Sequence, residues 1–98
     1  MKEFATKDMT LAAYLSYCGV EAVKIHTEKL TQGNAREWQQ ATWIYDITDE
    51  ESEDLVSNYT NEFLTGRAEV EPGEFQDVVS KVRKRMMLAL GIDRRTRT

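Results

Sequence analysis

The side chains best suited to nucleophilic catalysis are one cysteine, Cys18, and one histidine, His26. A cysteine nucleophile needs a base that takes its proton and a third group that orients the base. Cys18 falls on the apolar side of a predicted helix, where a free thiol is usually buried and inert. His26 falls on the polar face of a predicted strand, where an exposed imidazole is common. We expect both residues to be structural.

Metal and phosphate chemistry have equally little support in the sequence. A structural zinc site normally needs four Cys or His ligands, and the chain has only two such residues. The acidic run at 49–54 lacks the alternating Asp spacing and the terminal Glu of a calcium loop. Neither a glycine-rich phosphate loop nor a Gly-x-Ser-x-Gly turn is present. The sequence therefore predicts a protein that is not an enzyme and uses no cofactor or metal.

Charge is separated along the chain, and this separation is the main functional signal. Residues 49–77 hold ten acids and one base, whereas residues 81–98 hold seven bases and one acid. The formal net charge of −4 does not reveal this division. Two surfaces of opposite sign favour an oriented contact with a charged partner, or a head-to-tail contact between copies of the chain.

The acidic part favours a protein partner. A helix that displays carboxylates would fit a basic site on another protein, even one that normally holds nucleic acid, because charge complementarity sets specificity and association rate. The candidate protein-binding residues are Glu50, Glu53, Asp54 and Glu62.

The basic part favours nucleic acid, because Lys and Arg on one side of a helix and in a tail can follow a phosphate backbone. Nonspecific nucleic-acid binders are usually basic, whereas this chain has a pI of about 5.0, so a protein partner ranks first. A structural virion component is a further alternative that would require assembly beyond a dimer. The candidate nucleic-acid-binding residues are Lys81, Lys84, Arg85, Arg94, Arg95 and Arg97.

A short helix and a hairpin come first among the predicted elements. Asp8 or Thr6 can cap the helix, and Gly19 can end it. Two stretches of alternating apolar and polar residues, 20–30 and 38–47, then predict an antiparallel hairpin.

The hairpin needs a long loop and further strands. The loop is expected at 31–37, where Gly33 and Asn34 favour a turn. A lone two-stranded hairpin is marginal in water, so we expect edge strands around Phe4 and Val70, or sheets joined between two copies.

Two longer helices complete the chain. Thr48 followed by Glu51 is a capping-box pattern and predicts the start of the second helix, which Gly66 ends. Pro72 suits the first turn of the third helix, and Gly91 follows its last apolar position.

These elements predict one α+β domain, a small antiparallel sheet with a central hairpin packed with three helices in the order α-β-β-α-α. The domain covers residues 1–91, and residues 92–98 form a basic C-terminal tail. A domain of this size buries only about 60 to 65% of its unfolded surface, so we expect a homodimer. The expected core is Leu11, Leu15, Val23, Ile25, Trp43, Tyr45, Leu55, Tyr59, Phe63, Phe75, Val79, Val82 and Met86.

The same sequence predicts a cytoplasmic protein. A single cysteine cannot form an internal disulfide, which suggests a reducing compartment. No apolar run approaches the 18 residues of a membrane span, so no membrane association is expected.

Three segments resemble a small domain family of unknown function found in bacteriophages and bacteria. Residues 6–15, Thr-Lys-Asp-Met-Thr-Leu-Ala-Ala-Tyr-Leu, followed by Gly19, are similar to the opening of that family. Residues 63–90 look like its later half, and the aromatic stretch 42–46 lies where the family carries an aromatic strand. The resemblance implies no catalytic residue. It implies a phage or prophage accessory protein in the host cytoplasm, and it favours a modulator of a host machine.

The nucleic-acid alternative is tested by fluorescence anisotropy of short single-stranded and duplex oligonucleotides at two salt concentrations. If the basic residues form the functional surface, binding is expected at micromolar affinity and weakens steeply with salt, because bound counterions are released. Reversing Lys81, Lys84 and Arg85 to Glu should then abolish binding while the fold stays intact. Absence of binding at low salt would remove this alternative.

Overall fold

The structure is a computed structural model that describes residues 2–32 and 36–91, and the side chains among them outside 30–38. It has three helices and a three-stranded antiparallel sheet, which confirms the predicted α+β class. One strand precedes the elements expected from the sequence. In chain order the elements are β1 (Glu3–Thr6), α1 (Met9–Tyr17), β2 (Lys24–Gln32), β3 (Arg36–Asp46), α2 (Glu50–Leu64) and α3 (Pro72–Ala89).

The sheet has the order β1-β3-β2, with β3 paired antiparallel to both neighbours. β1 places Phe4 opposite Tyr45, so the edge strand expected around Phe4 is confirmed. The edge strand expected around Val70 is wrong, because no strand forms there. Instead the backbone N–H of Glu71 donates to the Tyr17 hydroxyl at 3.0 Å, which holds this segment against the end of α1.

The hairpin is longer at its tip and shorter at its base than expected. Pairing between β2 and β3 continues to Gln32 opposite Arg36, so strands replace most of the predicted loop. Residues 33–35, with the predicted turn, lie outside the described residues. At the base, the backbone N–H of Val20 donates to the Leu15 carbonyl at 2.8 Å. This bond ends α1, and β2 therefore begins at Lys24 rather than at Val20.

The residues predicted to begin or end α1 and to begin α3 are found at those positions in the structure. Asp8 caps α1 by accepting from the backbone N–H groups of Thr10 and Leu11. Gly19 follows with a φ of +93°, in the left-handed region that glycine tolerates. Pro72 is the first residue of α3, as predicted.

The predicted capping box of α2 is wrong. The N-cap is Asp49, and its side chain makes no capping hydrogen bond. Thr48 lies one residue too early, and its hydroxyl instead accepts from the backbone N–H of Lys2 at 3.2 Å. The Thr48 side chain therefore links the N-terminal segment to the start of α2.

The core is built around α1. All five residues from Leu11 to Leu15 are buried, although an amphipathic helix usually shows every third or fourth residue to solvent. α1 contacts α2, α3 and the sheet, so none of its sides in this stretch faces water. The other buried apolar residues are Ala41, Trp43, Tyr45, Ile47, Val56 and Val82.

Most of the predicted core is confirmed. Leu11, Leu15, Trp43, Tyr45 and Val82 are buried, and a second group packs against them while partly exposed. That group contains Ile25, Tyr59, Phe63, Phe75, Val79 and Met86.

Two core predictions are wrong, since Val23 is 57% exposed and Leu55 is 39% exposed. Val23 precedes the first residue of β2, so the strand alternation does not govern it. Leu55 is next to Val56, and α2 buries Val56 instead.

The contact between α1 and α2 is aromatic with one polar link. Tyr14 packs edge-on against Tyr59, with ring centroids 6.3 Å apart, and at 5.9 Å against Phe63. The Tyr14 hydroxyl donates to Glu62 Oε1 at 2.9 Å. Burial, and next the hydrogen bond to Glu62, raise the pKa of the Tyr14 phenol well above its usual value.

Replacing Leu15 with Ala is expected to lower the free energy of unfolding by about 2 to 5 kcal/mol, because Leu15 is 0% exposed and the substitution leaves a cavity. Leu64 is 71% exposed, so Leu64→Ala should change the free energy by no more than about 0.5 kcal/mol. Urea unfolding followed by circular dichroism measures both values. Equal costs would contradict the placement of α1 at the centre.

Stability is expected to fall as pH rises above about 10, the ordinary pKa of a tyrosine phenol. Burial raises the pKa of both Tyr14 and Tyr45, so the folded state retains protons that the unfolded state releases. The free energy of unfolding therefore decreases with pH in this range, whereas below it the two phenols contribute no slope. Urea titrations of the wild type and of a Tyr14→Phe/Tyr45→Phe variant between pH 8 and about 11 test this. The variant should show a shallower decline, and an identical decline would contradict the assignment.

Candidate interaction surface

The two side chains considered for catalysis lie in different parts of the fold, Cys18 at the end of α1 and His26 on β2. Cys18 is half-buried, and burial is the largest cause that raises the pKa of its thiol, which lowers its thiolate fraction. His26 lies on β2 and is exposed. Over residues 2–32 and 36–91, no three His, Cys, Asp or Glu side chains lie close enough to hold a metal ion. In the same part of the chain, no helix is both long and apolar enough to cross a membrane.

The four predicted acidic binding residues serve different purposes in the fold. Glu50 and Asp54 are exposed and lie one turn apart on α2. Glu53 forms an ion pair with the Lys2 ammonium, and Glu62 accepts the hydrogen bond of the buried Tyr14. Only Glu50 and Asp54 of this set therefore present carboxylates without such a contact among the described residues.

Of the predicted basic residues that the structure describes, two are exposed without an ion pair and one is paired within the fold. Lys81 and Lys84 are exposed on the outer side of α3. Arg85 lies at the flank of the helix and not opposite its buried face, where its Nη1 forms an ion pair with Glu21 Oε1 at 3.3 Å. The predicted contributions of Arg94, Arg95 and Arg97 lie outside the described residues.

A groove that the sequence did not predict lies beside Glu21. Its volume is about 230 Å³, and its walls are the segment after α1, the end of β3 and the first two turns of α2. The two exposed residues expected in the core, Val23 and Leu55, both line it, and we therefore name it the Val23–Leu55 groove. Its apolar side chains include Val20, Val23, Leu55 and Val56.

Local backbone contacts explain the groove. Gly19 reverses the chain at the end of α1, and the segment after it crosses to the sheet. There the backbone N–H of Val23 donates to the Ile44 carbonyl at 2.7 Å, which fixes Val23 at the sheet before β2 begins. α2 packs on α1 through Tyr59 and Phe63, so its first turns leave a gap beside Val23.

Carboxylates lie beside the apolar part of the groove. Glu21 and Asp46 line it directly. Hydrogen bonds from Thr48 are the main cause that holds the pKa of Asp46 below its usual range, and the backbone N–H of Thr48 lies 2.9 Å from Oδ1. Glu51, exposed one turn before Leu55 on α2, adds a third carboxylate on that face. Arg85 offsets the charge of Glu21, so Asp46 and Glu51 make the rim negative at neutral pH.

The size of the groove limits what it can hold. Pockets for small organic ligands usually measure about 300 to 1,000 Å³, whereas a cavity of about 150 Å³ already admits a benzene ring. At about 230 Å³, the groove has room for one large apolar side chain and part of another. Its dimensions therefore suit side chains of a protein better than a free metabolite.

No signal in the sequence marked this groove. Val23 and Leu55 fit the apolar periodicity, which is why both were expected in the core. Adjacent residues of a helix point in different directions, so α2 can bury Val56 and leave its neighbour Leu55 exposed.

Comparison with known proteins yields no relative. No family model matches the chain, and no curated protein and no solved structure matches it either. The resemblance to the phage and bacterial family therefore stays a prediction, and the physical character of the groove is the basis on which a function is proposed.

Proposed function

We propose that this protein is a non-catalytic interaction domain that binds and modulates a partner protein. The binding site is the Val23–Leu55 groove with its carboxylate rim. The partner contributes a short segment in which an apolar side chain lies between Lys or Arg residues. The exposure of Val23 and Leu55 side by side is the observation that carries the proposal.

The apolar part of the groove supplies affinity. Removing apolar surface from water is worth about 25 cal/mol per Å², and Val23 and Leu55 leave much of theirs exposed in the single chain. Exposed apolar patches rimmed by polar groups are typical of protein interaction sites. In such sites a few side chains that fill a pocket at the centre provide most of the binding energy.

The rim supplies specificity. Glu21, Asp46 and Glu51 attract Lys and Arg side chains and repel acidic segments. Complementary charge accelerates association and excludes wrong partners more than it increases affinity. The exposed Glu50 and Asp54, two of the four residues predicted to bind a partner, extend this field along α2.

A role as a phage-type accessory protein that acts on a host factor in the cytoplasm is part of this proposal. The resemblance of residues 6–15 and 63–90 to the phage and bacterial family supports it, and the groove supplies a means of binding without catalysis.

Nucleic-acid binding through α3 has weaker support. Among the three described candidates, Arg85 is paired with Glu21, which leaves Lys81 and Lys84. Proteins that bind duplex DNA strongly through phosphates make about 6 to 10 such contacts. The oligonucleotide titration described above decides this alternative.

Selection from a random peptide library tests the proposed function. The wild type is expected to select peptides with one Leu, Ile, Phe or Met flanked by Lys or Arg, and their affinity should fall with salt. Leu55→Asp should weaken binding by at least about tenfold. The substitution removes part of the apolar wall and places a charged carboxylate where the apolar side chain of the peptide would pack. Leu64→Asp is the matched control on the same helix and should bind as the wild type does.

Two results would contradict the proposal. Peptides that bind Leu55→Asp as well as the wild type would place the site elsewhere. Selection of peptides without basic residues would remove the role of the carboxylate rim.

A further inference from the structure

The outer surface of α3 carries the same chemistry that the groove is suited to bind. Lys81, Lys84 and Leu88 follow the spacing i, i+3, i+7 and form one stripe, which we name the α3 stripe. All three are exposed, and Leu88 is 51% exposed. An apolar side chain thus lies one turn beyond two lysines on the outside of a helix.

We infer that two copies of this chain form a twofold-symmetric dimer in which the α3 stripe of each copy occupies the Val23–Leu55 groove of the other. Leu88 enters the apolar part of the groove, and Lys84 lies against the carboxylate rim. The inference uses the groove of the proposed function, but it needs no foreign partner.

Charge complementarity supports a second copy as the occupant. The rim of the groove is negative, with Glu21 and Asp46 lining it, and the pKa of Asp46 is held low by Thr48. Lys81 and Lys84 form no ion pair among the described residues. Arg85 and Glu21 already pair within one chain, so the charges that a second copy can bring together are those of Lys81 and Lys84 and that of Asp46.

The positions of the two surfaces favour a closed dimer. Arg85 lies next to Lys84 in α3 and contacts Glu21 at the edge of the groove, so the α3 stripe and the groove border the same part of the surface. Because the α3 stripe and the groove are neighbours on each copy, a twofold axis can place each stripe in the groove of the other copy, so that the contact forms twice. Such an arrangement closes at two subunits, whereas separated surfaces would continue into a filament.

The apolar residues also match. Leu88 leaves about half of its surface in water in the single chain, and Val23 and Leu55 at the groove are also exposed. Pairing them removes three exposed apolar side chains from water in each of the two contacts. A domain of this length buries a modest share of its own surface, so association adds appreciably to its stability.

Sedimentation equilibrium from micromolar to millimolar concentration tests the dimer. The wild type should be a dimer in the upper part of this range. Leu88→Asp should be monomeric, since it loses the apolar contact and places a carboxylate near the acidic rim. Leu64 is an even more exposed leucine, on α2 outside the groove lining, so Leu64→Asp should remain a dimer.

A charge exchange identifies the two surfaces. Lys84→Glu alone and Asp46→Lys alone should each be monomeric, because each homodimer would join like charges twice. In an equimolar mixture the two variants should form a heterodimer, since both of its contacts then join opposite charges. Circular dichroism of each variant confirms that the fold is retained at these exposed positions.

The outcomes separate this inference from the proposed function. A wild type that is monomeric throughout the range, a dimeric Leu88→Asp, or a charge-exchange mixture that stays monomeric would overturn the dimer. A monomeric wild type that still binds the selected peptides would leave the proposed function in place. If the wild type is a dimer of the expected behaviour and the monomeric Leu88→Asp variant, whose groove is open, binds no peptide, the proposed function alone is overturned.

Discussion

The burial of α1 on all sides, from Leu11 to Leu15, is the constraint on which the rest of the structure depends. Five consecutive residues of a nine-residue helix are inaccessible to water, so apolar contacts are needed around its whole circumference. Ala12 and Ala13 allow close approach, because their side chains end at Cβ. The sheet, α2 and α3 each cover part of this circumference, and α2 and α3 make their most extensive contacts with α1.

Much of this architecture could be predicted from local patterns. The apolar spacing in α3 and the cap at Asp8 each depend on residues a few positions apart, and both agree with the structure. The predictions that were wrong involve competition between neighbours. Thr48 and Asp49 both suit an N-cap, and the contact of Thr48 with Lys2, distant in sequence, decides between them. Val23 and Leu55 fit the apolar period, but Val23 precedes the first residue of β2, and α2 buries Val56 in place of Leu55.

Charged residues that are far apart in the sequence pair with each other in the folded chain. Parts of both charged regions are used inside the fold: Lys2 pairs with Glu53, and Arg85 pairs with Glu21. Glu62 serves the contact of α1 with α2. Among the described residues of the two predicted binding sets, Glu50, Asp54, Lys81 and Lys84 have no such contact. The candidate site could not be found from charge counts because its apolar part is formed by segments that meet only in the folded chain.

The pairing of β1 with β3 has a kinetic meaning. Phe4 lies opposite Tyr45, and α1, β2 and nearly all of β3 separate the two along the chain. Contacts between residues so far apart require the closure of a long loop, whose entropy cost slows folding. The hairpin of β2 and β3 joins neighbours and can form early, but β1 has no strand to join until β3 is in place. The N-terminal strand, although synthesised first, is therefore among the last elements able to reach its native position.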